Sequence, residues 1–260
     1  MGLNNFAKIS ESFLAEFITS DMLPTNDPAQ YGNQKGLSTQ HYLVRMIHQI
    51  LTATDKNSKK EAIAVLMQMI DWNSAFDRQC HKLGILSFIN NGVRKSLIPI
   101  LISYFQDRQM AVKWNGHLSK PYPLPGGGAQ GGQLGQLEYL SQSNDNCTFL
   151  SMEEKFKFID DLSIIEMINL VMSGICSYNF KDHIASDIGT HGQYLPPENV
   201  QSQKFLDKIQ DWTVDRKMQL NNSKTKYMII NFTRKYQFST RIQLENKYWK
   251  KFRNVGCWGL

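Results

Sequence analysis

Cysteine is scarce in this sequence. Its four copies, Cys80, Cys147, Cys176 and Cys257, are scattered, with no Cys-x-x-Cys pair and no histidine at zinc-ligand spacing. That argues against a disulfide framework or a structural zinc, and fits a reducing compartment. No apolar run reaches the length of a membrane span. Met1–Ser20 is too polar and too mixed in charge for a secretory signal. The expectation is a soluble intracellular protein, nuclear or cytoplasmic, without a membrane partner. Internal repeats and low-complexity tracts are missing too. What is present is an ordinary globular composition: 260 residues, 42% hydrophobic and 11% aromatic, suffice for one large domain or two small ones with a substantial core.

Acids are in deficit. The net charge of +6 suggests a polyanionic partner, and the excess is concentrated late in the chain. Between Asp215 and Arg253 stand eleven Lys and Arg against two acids, Asp215 and Glu245. Such a segment binds phosphates, or forms a solvated surface.

Periodicity and punctuation outline the elements. Ser38 caps a helix through Thr52, with Leu43, Met46, Ile47, Ile50 and Leu51 on one face. The apolar run Ala62–Ile70 reads as a strand. A helix over His81–Asn90 would share Leu83, Leu86 and Ile89, and another follows Lys95, with Pro99 tolerated near its first turn. Met110–Trp114 alternates and meets Asn115-Gly116, a two-residue hairpin signal. A glycine-rich stretch, Pro125–Gly132, leads into a helix over Leu134–Ser143. Two strands then flank Asp160-Asp161, and residues 173–197 read as loop. An amphipathic helix over Val200–Met218, with Phe205, Leu206, Ile209 and Trp212 on its apolar side, precedes a strand over Thr225–Phe232. This order predicts an α+β fold, its antiparallel sheet covered by helices on one face.

The chemistry centres on Asp160 and Asp161, adjacent acids between the apolar runs Lys155–Ile159 and Leu162–Ile165. A carboxylate held near a core must be paired or must coordinate metal. Two acids at the tip of a tight hairpin, joined by Asp71 at the end of Ala62–Ile70, offer hard oxygens to divalent cations. The triplet points to two-metal phosphoryl chemistry, in which ions about 3.5–4 Å apart activate a hydroxyl and stabilise a leaving pyrophosphate.

Five motifs stand in order along the chain. They are Gln30-Tyr31-Gly32 with Gly36-Leu37-Ser38-Thr39; Ile70-Asp71-Trp72-Asn73-Ser74-Ala75-Phe76-Asp77-Arg78; the glycine segment Leu124–Gly135; Phe158-Ile159-Asp160-Asp161; and Leu220-Asn221-Asn222-Ser223-Lys224-Thr225. This order, over about residues 25–235, resembles the reverse transcriptase domain of non-LTR retrotransposons of the LINE and Jockey type. The resemblance implies a polymerase palm, its antiparallel sheet backed by helices, over residues 61–235. It implies a partial, mostly helical fingers segment over 1–60, a divergent basic tail over 236–260, and no thumb. The implied activity is RNA-directed DNA polymerase, with two Mg2+ ions (or Mn2+), dNTPs, an RNA template and a DNA primer.

The resemblance also implies roles. Asp71 and Asp160 would be the principal metal ligands, with Asp161 completing the acidic site. Phe76, five residues after Asp71, looks like the aromatic gate that clashes with a ribose 2′-hydroxyl. Backbone amides of Ser74 and Ala75 would meet the triphosphate, and Gln130-Gly131 would lie against nucleotide and template. Lys224 resembles the lysine that protonates departing pyrophosphate. Structural readings stand beside these: Phe76 as a core aromatic, Lys224 as a surface lysine, the glycine segment as a connector. Asp77 with Arg78 reads as a local ion pair or cap, and His81 as a partner in a structural hydrogen bond.

The chain departs from the family at both ends. Nothing before Gln30 matches the upstream fingers segment, with its basic residues and Tyr-Arg-Pro-Ile-Ser-like motif, and nothing beyond Gln243 matches the primer grip and helical thumb. No endonuclease domain or Cys/His nucleic-acid-binding module is present, and Ala129 stands where the family commonly has proline. A copy truncated at both ends is therefore expected. The alternative to an active polymerase is a catalytically inactive nucleic-acid-binding remnant. An RNA-dependent RNA polymerase shares the paired aspartates, but the bulky Phe76 and Gln130-Gly131 argue against it.

Overall fold

Eight consecutive residues of Ile63–Ile70, nearly all apolar, form a strand buried on both faces, and the rest of a sheet is built around it. The computed structural model describes residues 5–56, 63–128, 132–169, 192–194, 200–232, 237–240, 242–244, 247–248 and 255–256. In chain order the elements begin with α1 (Asn5–Met22), α2 (Thr39–Lys56), β1 (Ile63–Ile70), α3 (His81–Asn90) and α4 (Ile98–Phe105). Four short strands follow, β2 (Gln109–Met110), β3 (Lys113–Trp114), β4 (His117–Leu118) and β5 (Tyr122–Pro123), then α5 (Gln133–Ser143). The remainder are β6 (Lys155–Phe158), β7 (Asp161–Asn169), β8 (Gly192–Tyr194), α6 (Gln201–Arg216), β9 (Lys226–Asn231), β10 (Gln237–Ser239), β11 (Gln243–Leu244), β12 (Lys247–Tyr248) and β13 (Val255–Gly256). These gather into two compact units of discontinuous chain. One comprises Met1–Pro28, Asn73–Asn146 and Trp212–Gln219; the other Ala29–Trp72, Cys147–Asp211 and Leu220–Leu260.

The second unit is built on a five-stranded sheet ordered β13-β9-β1-β7-β6, antiparallel throughout except for the β13–β9 edge pair. Helices lie on both of its faces, where the sequence pattern predicted one. On the first, Met46 and Ile50 of α2 pack with Val65, Met67, Phe156 and Ile165. On the second, the Gln68 side-chain amide donates to the carbonyl of Ser202 in α6 (3.0 Å), and Leu206 and Ile209 of that helix are fully buried. The continuous apolar character of β1 is what such two-sided cover requires. The apolar stripe of α2 is narrower than its pattern: Leu43, Ile47 and Leu51 are exposed.

The first unit is helical. Ala15, Ile18 and Met22 of α1 share a core with Phe88, Val93, Leu97, Leu101, Phe105, Leu134 and Leu137. In α3, Leu86 and Ile89 face solvent, while His81, Gly84, Ser87 and Phe88 are buried. The expected apolar face is thus turned outward, because the missing side chain of Gly84 admits Glu138 of α5: a Cβ there would lie 2.5 Å from Glu138 Oε1. Met110–Trp114 is divided rather than continuous. Lys113–Trp114 pairs with His117–Leu118 across Asn115-Gly116, while Gln109–Met110 pairs with Tyr122–Pro123 further out. Residues 73–78 are turns, so helix begins only at His81 rather than directly after Asp71. Among the described residues no helix is long and apolar enough to cross a membrane.

Candidate active site

Antiparallel register brings the acids together. Within the sheet unit Ile70 pairs with Leu162, the last pair of the β1–β7 ladder, so the next residues outward, Asp71 and Asp161, stand opposite each other. Directly opposed side chains in such a ladder have Cβ atoms about 4.5–5.5 Å apart, and like charges there repel. Phe158 pairs with Asp161, which leaves Ile159 and Asp160 as the two turn residues of the β6–β7 hairpin. Ile159 has φ +57°, in the left-handed region that a β-branched residue seldom enters.

Burial pushes the Asp161 carboxyl up from its ordinary value, and the charges of Asp160 and Asp71 push it the same way. The residue as a whole is exposed, so water moderates these effects. Asp71 is one-third exposed, yet its Oδ2 is closed off from solvent and has no hydrogen-bond partner among the described residues. A buried carboxylate oxygen without a partner is costly, and is the kind of atom a cation satisfies. Lys224 Nζ lies 4.0 Å from that oxygen on a side chain 70% exposed. At that distance and exposure the pair contributes little. Among the described residues no group of three or more His, Cys, Asp or Glu stands in an arrangement that holds a metal ion.

The backbone of Asp71 is pinned by the segment 220–225. Thr225, fully buried, accepts from the Asp71 N–H through Oγ1 (3.2 Å) and donates back to the Asp71 carbonyl (3.4 Å). The Asn221 N–H donates to the same carbonyl (2.8 Å), and Trp72 bridges to Leu220. Asn221 Oδ1 in turn accepts from the backbone N–H groups of Ser223 and Lys224, which shapes the turn that carries Lys224. Thr225 and Asn221 had only motif membership to signal them in the sequence.

Ser74, Ala75 and Phe76 belong to the helical unit. Ser74 is exposed with φ +52°, Ala75 is buried, and half-buried Phe76 packs on Tyr139 with ring centroids 5.0 Å apart. Their turn is tied to the glycine segment: the Gly128 N–H donates to the Phe76 carbonyl and the Gly127 N–H to that of Gln79, both at 2.8 Å. Close approach demands glycine here. A Cβ on Gly126 would sit 2.7 Å from the Gln79 carbonyl oxygen, and Gly127 has φ +89°. The described part of this segment is thus a fitted contact rather than a slack connector. His81 fills the structural role read for it, its Nε2 lying 3.0 Å from the Gly127 carbonyl oxygen. Gln130 and Gly131 lie outside the described residues, as does most of 173–197.

No family model matches the chain. Over 145 residues, 55% of its length, it is 30% identical to a protein described as a probable RNA-directed DNA polymerase from transposon X-element of Drosophila melanogaster. Over 142 residues, 53% of its length, it is 30% identical to a protein of like description from transposon BS of the same organism. The chain spans about 15% of the length of each. In fold it is similar to an apo telomerase from Candida tropicalis truncated from its C-terminal domain, with a TM-score of 0.53, covering 85% of this chain and 40% of that one. At 13% identity that likeness is one of fold alone. In sequence, the chain is similar to proteins described as probable RNA-directed DNA polymerases of transposons, the resemblance that its motif order implied.

Proposed function

We propose that the sheet unit is the catalytic palm of a reverse transcriptase, which adds dNTPs to a DNA primer on an RNA template. The observation that carries the reading is the register that sets Asp71 opposite Asp161, next to the turn bearing Asp160. Asp71 and Asp161 face each other at one end of the sheet with Asp160 in the adjoining turn, and a buried Asp71 oxygen has no hydrogen bond among the described residues; these are hard-oxygen donors of the kind that divalent cations take. Asp71, Asp160 and Asp161 would hold two Mg2+ ions, or Mn2+. Bound there, the ions would acidify the primer 3′-hydroxyl and offset charge on the leaving pyrophosphate.

The chain's own groups supply the remaining functions. Lys224, exposed with its Nζ 4.0 Å from Asp71, would give a proton to pyrophosphate. Ser74 has φ +52°, a left-handed turn backbone of the kind from which anion cradles are built, and the amides of Ser74 and Ala75 would take the triphosphate. Phe76, packed on Tyr139, would reject a ribose 2′-hydroxyl, and Gln130-Gly131 would contact nucleotide and template. The test is primer extension on an RNA template with Mg2+, comparing the wild-type chain with Asp160→Asn/Asp161→Asn. Loss of extension in the variant is expected; equal extension by both overturns the assignment of the acids.

A further inference from the structure

Gln30 is 7% exposed, and two of its three side-chain hydrogen bonds go to Ile159 at the hairpin tip. Its Oε1 accepts from the N–H of Ile159 (2.8 Å) and of Gly32 (2.9 Å), and its Nε2 donates to the Ile159 carbonyl (3.3 Å). Both backbone groups of the left-handed residue are therefore taken by one carboxamide, from 129 positions away in sequence. The flanking backbone seats that side chain. The Tyr31 N–H donates to the Lys157 carbonyl (2.8 Å), and the Lys157 N–H to that of Ala29 (2.9 Å), so residues 29–31 run parallel beside β6. Tyr31 packs edge-on against Tyr42, whose ring also meets Phe156 and Phe158. Gly32 completes the fit: a Cβ there would lie 2.4 Å from both Ile159 Cγ1 and Ile159 N.

A two-residue hairpin turn ordinarily takes Asn-Gly or another glycine pair, which enter positive φ without strain. Here the first turn position is isoleucine, and strained backbone of this kind persists only where its surroundings over-determine it. Asp160 follows Ile159 directly and Asp161 is next, so the peptide orientation at Ile159 sets where both carboxylates leave the turn. We infer that Gln30 is a positioning residue, which locks Ile159 in its left-handed conformation and thereby aims Asp160 and Asp161. The inference rests on the acid site proposed above and assigns to Gln30 the control of its geometry.

Gln30→Met keeps the volume of the side chain and removes all three hydrogen bonds. The probe is Mn2+ alone, titrated into the 260-residue chain and followed by electron paramagnetic resonance, with exchange of the Ile159 amide measured in parallel. Loss of an outer-shell partner weakens metal binding by roughly 10–100-fold, and that drop is expected for Q30M together with faster exchange at Ile159. Adding Ile159→Gly, which enters the left-handed region freely, should recover most of the affinity; a general packing defect would not be rescued this way. Gly32→Ala keeps the Gln30 carboxamide but drives a Cβ against the Ile159 N–H that it accepts from, and should lower affinity in the same direction if Q30M does not fold. Wild-type affinity in Q30M or, where Q30M does not fold, in Gly32→Ala overturns the positioning role. Wild-type binding no tighter than that of Asp160→Asn/Asp161→Asn overturns the acid-site reading and this inference with it.

Discussion

Replacing Glu138 with glutamine should make the protein more stable at neutral pH, and by an amount that depends on pH. Glu138 lies on α5 with no exposed surface. Burial pushes its carboxyl from 4.5 up to about 8, against an opposing pull from the charge of Arg108. An unfolded glutamate ionises near its ordinary value, so between about pH 4.5 and 8 the folded chain holds one proton that the unfolded chain has released. Stability from this group is complete below the lower value and falls by about 1.4 kcal/mol per pH unit through the window. By pH 7 the loss amounts to roughly 3 kcal/mol, a sizeable part of a domain's total of roughly 5–15 kcal/mol. Glutamine has the same shape and no charge to release. Its amide also has a use, since Gln142 Oε1 is buried without a partner among the described residues, and the two side chains already touch at 3.2 Å. Urea unfolding of Glu138→Gln and wild type, at intervals from pH 4.5 to 8, isolates the group because all other titrations cancel in the difference. The difference should be near zero at the acid end and rise steadily in favour of the variant. A gap that stays constant across the range would refute a buried, proton-holding Glu138.

Glu166→Ala should cost about 1–2 kcal/mol in urea unfolding, because its carboxylate accepts from the Gln201 and Ser202 amides at the start of α6, at 3.0 and 2.8 Å. Thr225→Val preserves shape but leaves the Asp71 amide without its acceptor; a loss of about 1–3 kcal/mol is expected in the same assay, with primer extension falling alongside. Phe76→Val should admit ribonucleotides, read as the ratio of rNTP to dNTP incorporation; an unchanged ratio would return Phe76 to the role of a packing aromatic on Tyr139.

Local chemistry along the chain determined a good deal. Helix over His81–Asn90 has the bounds its pattern predicts, and Asn115-Gly116 turns with both residues at positive φ, 47° and 82°. The continuous apolar run before Asp71 is a strand, and the paired aspartates do sit at a hairpin. These features depend on neighbours a few positions apart, where side-chain period and backbone preference act directly. Burial was less legible. In α1, Glu11 is buried with its carboxylate on Tyr104 and the Gln133 amide, while Phe6, Ile9, Phe13 and Phe17 are exposed, the reverse of what hydrophobicity alone suggests. Helices on both faces of the sheet were likewise a matter of what lies across from β1. The acid site shows the division most clearly. Residue types marked Asp71, Asp160 and Asp161 as candidates, but only the register of β1 against β7 set two of them face to face. Thr225 holds Asp71 from 154 positions away and Gln30 holds Ile159 from 129. Hydrogen bonds of that span leave no period in the sequence, since the partner is chosen by packing and strand register rather than by spacing along the chain.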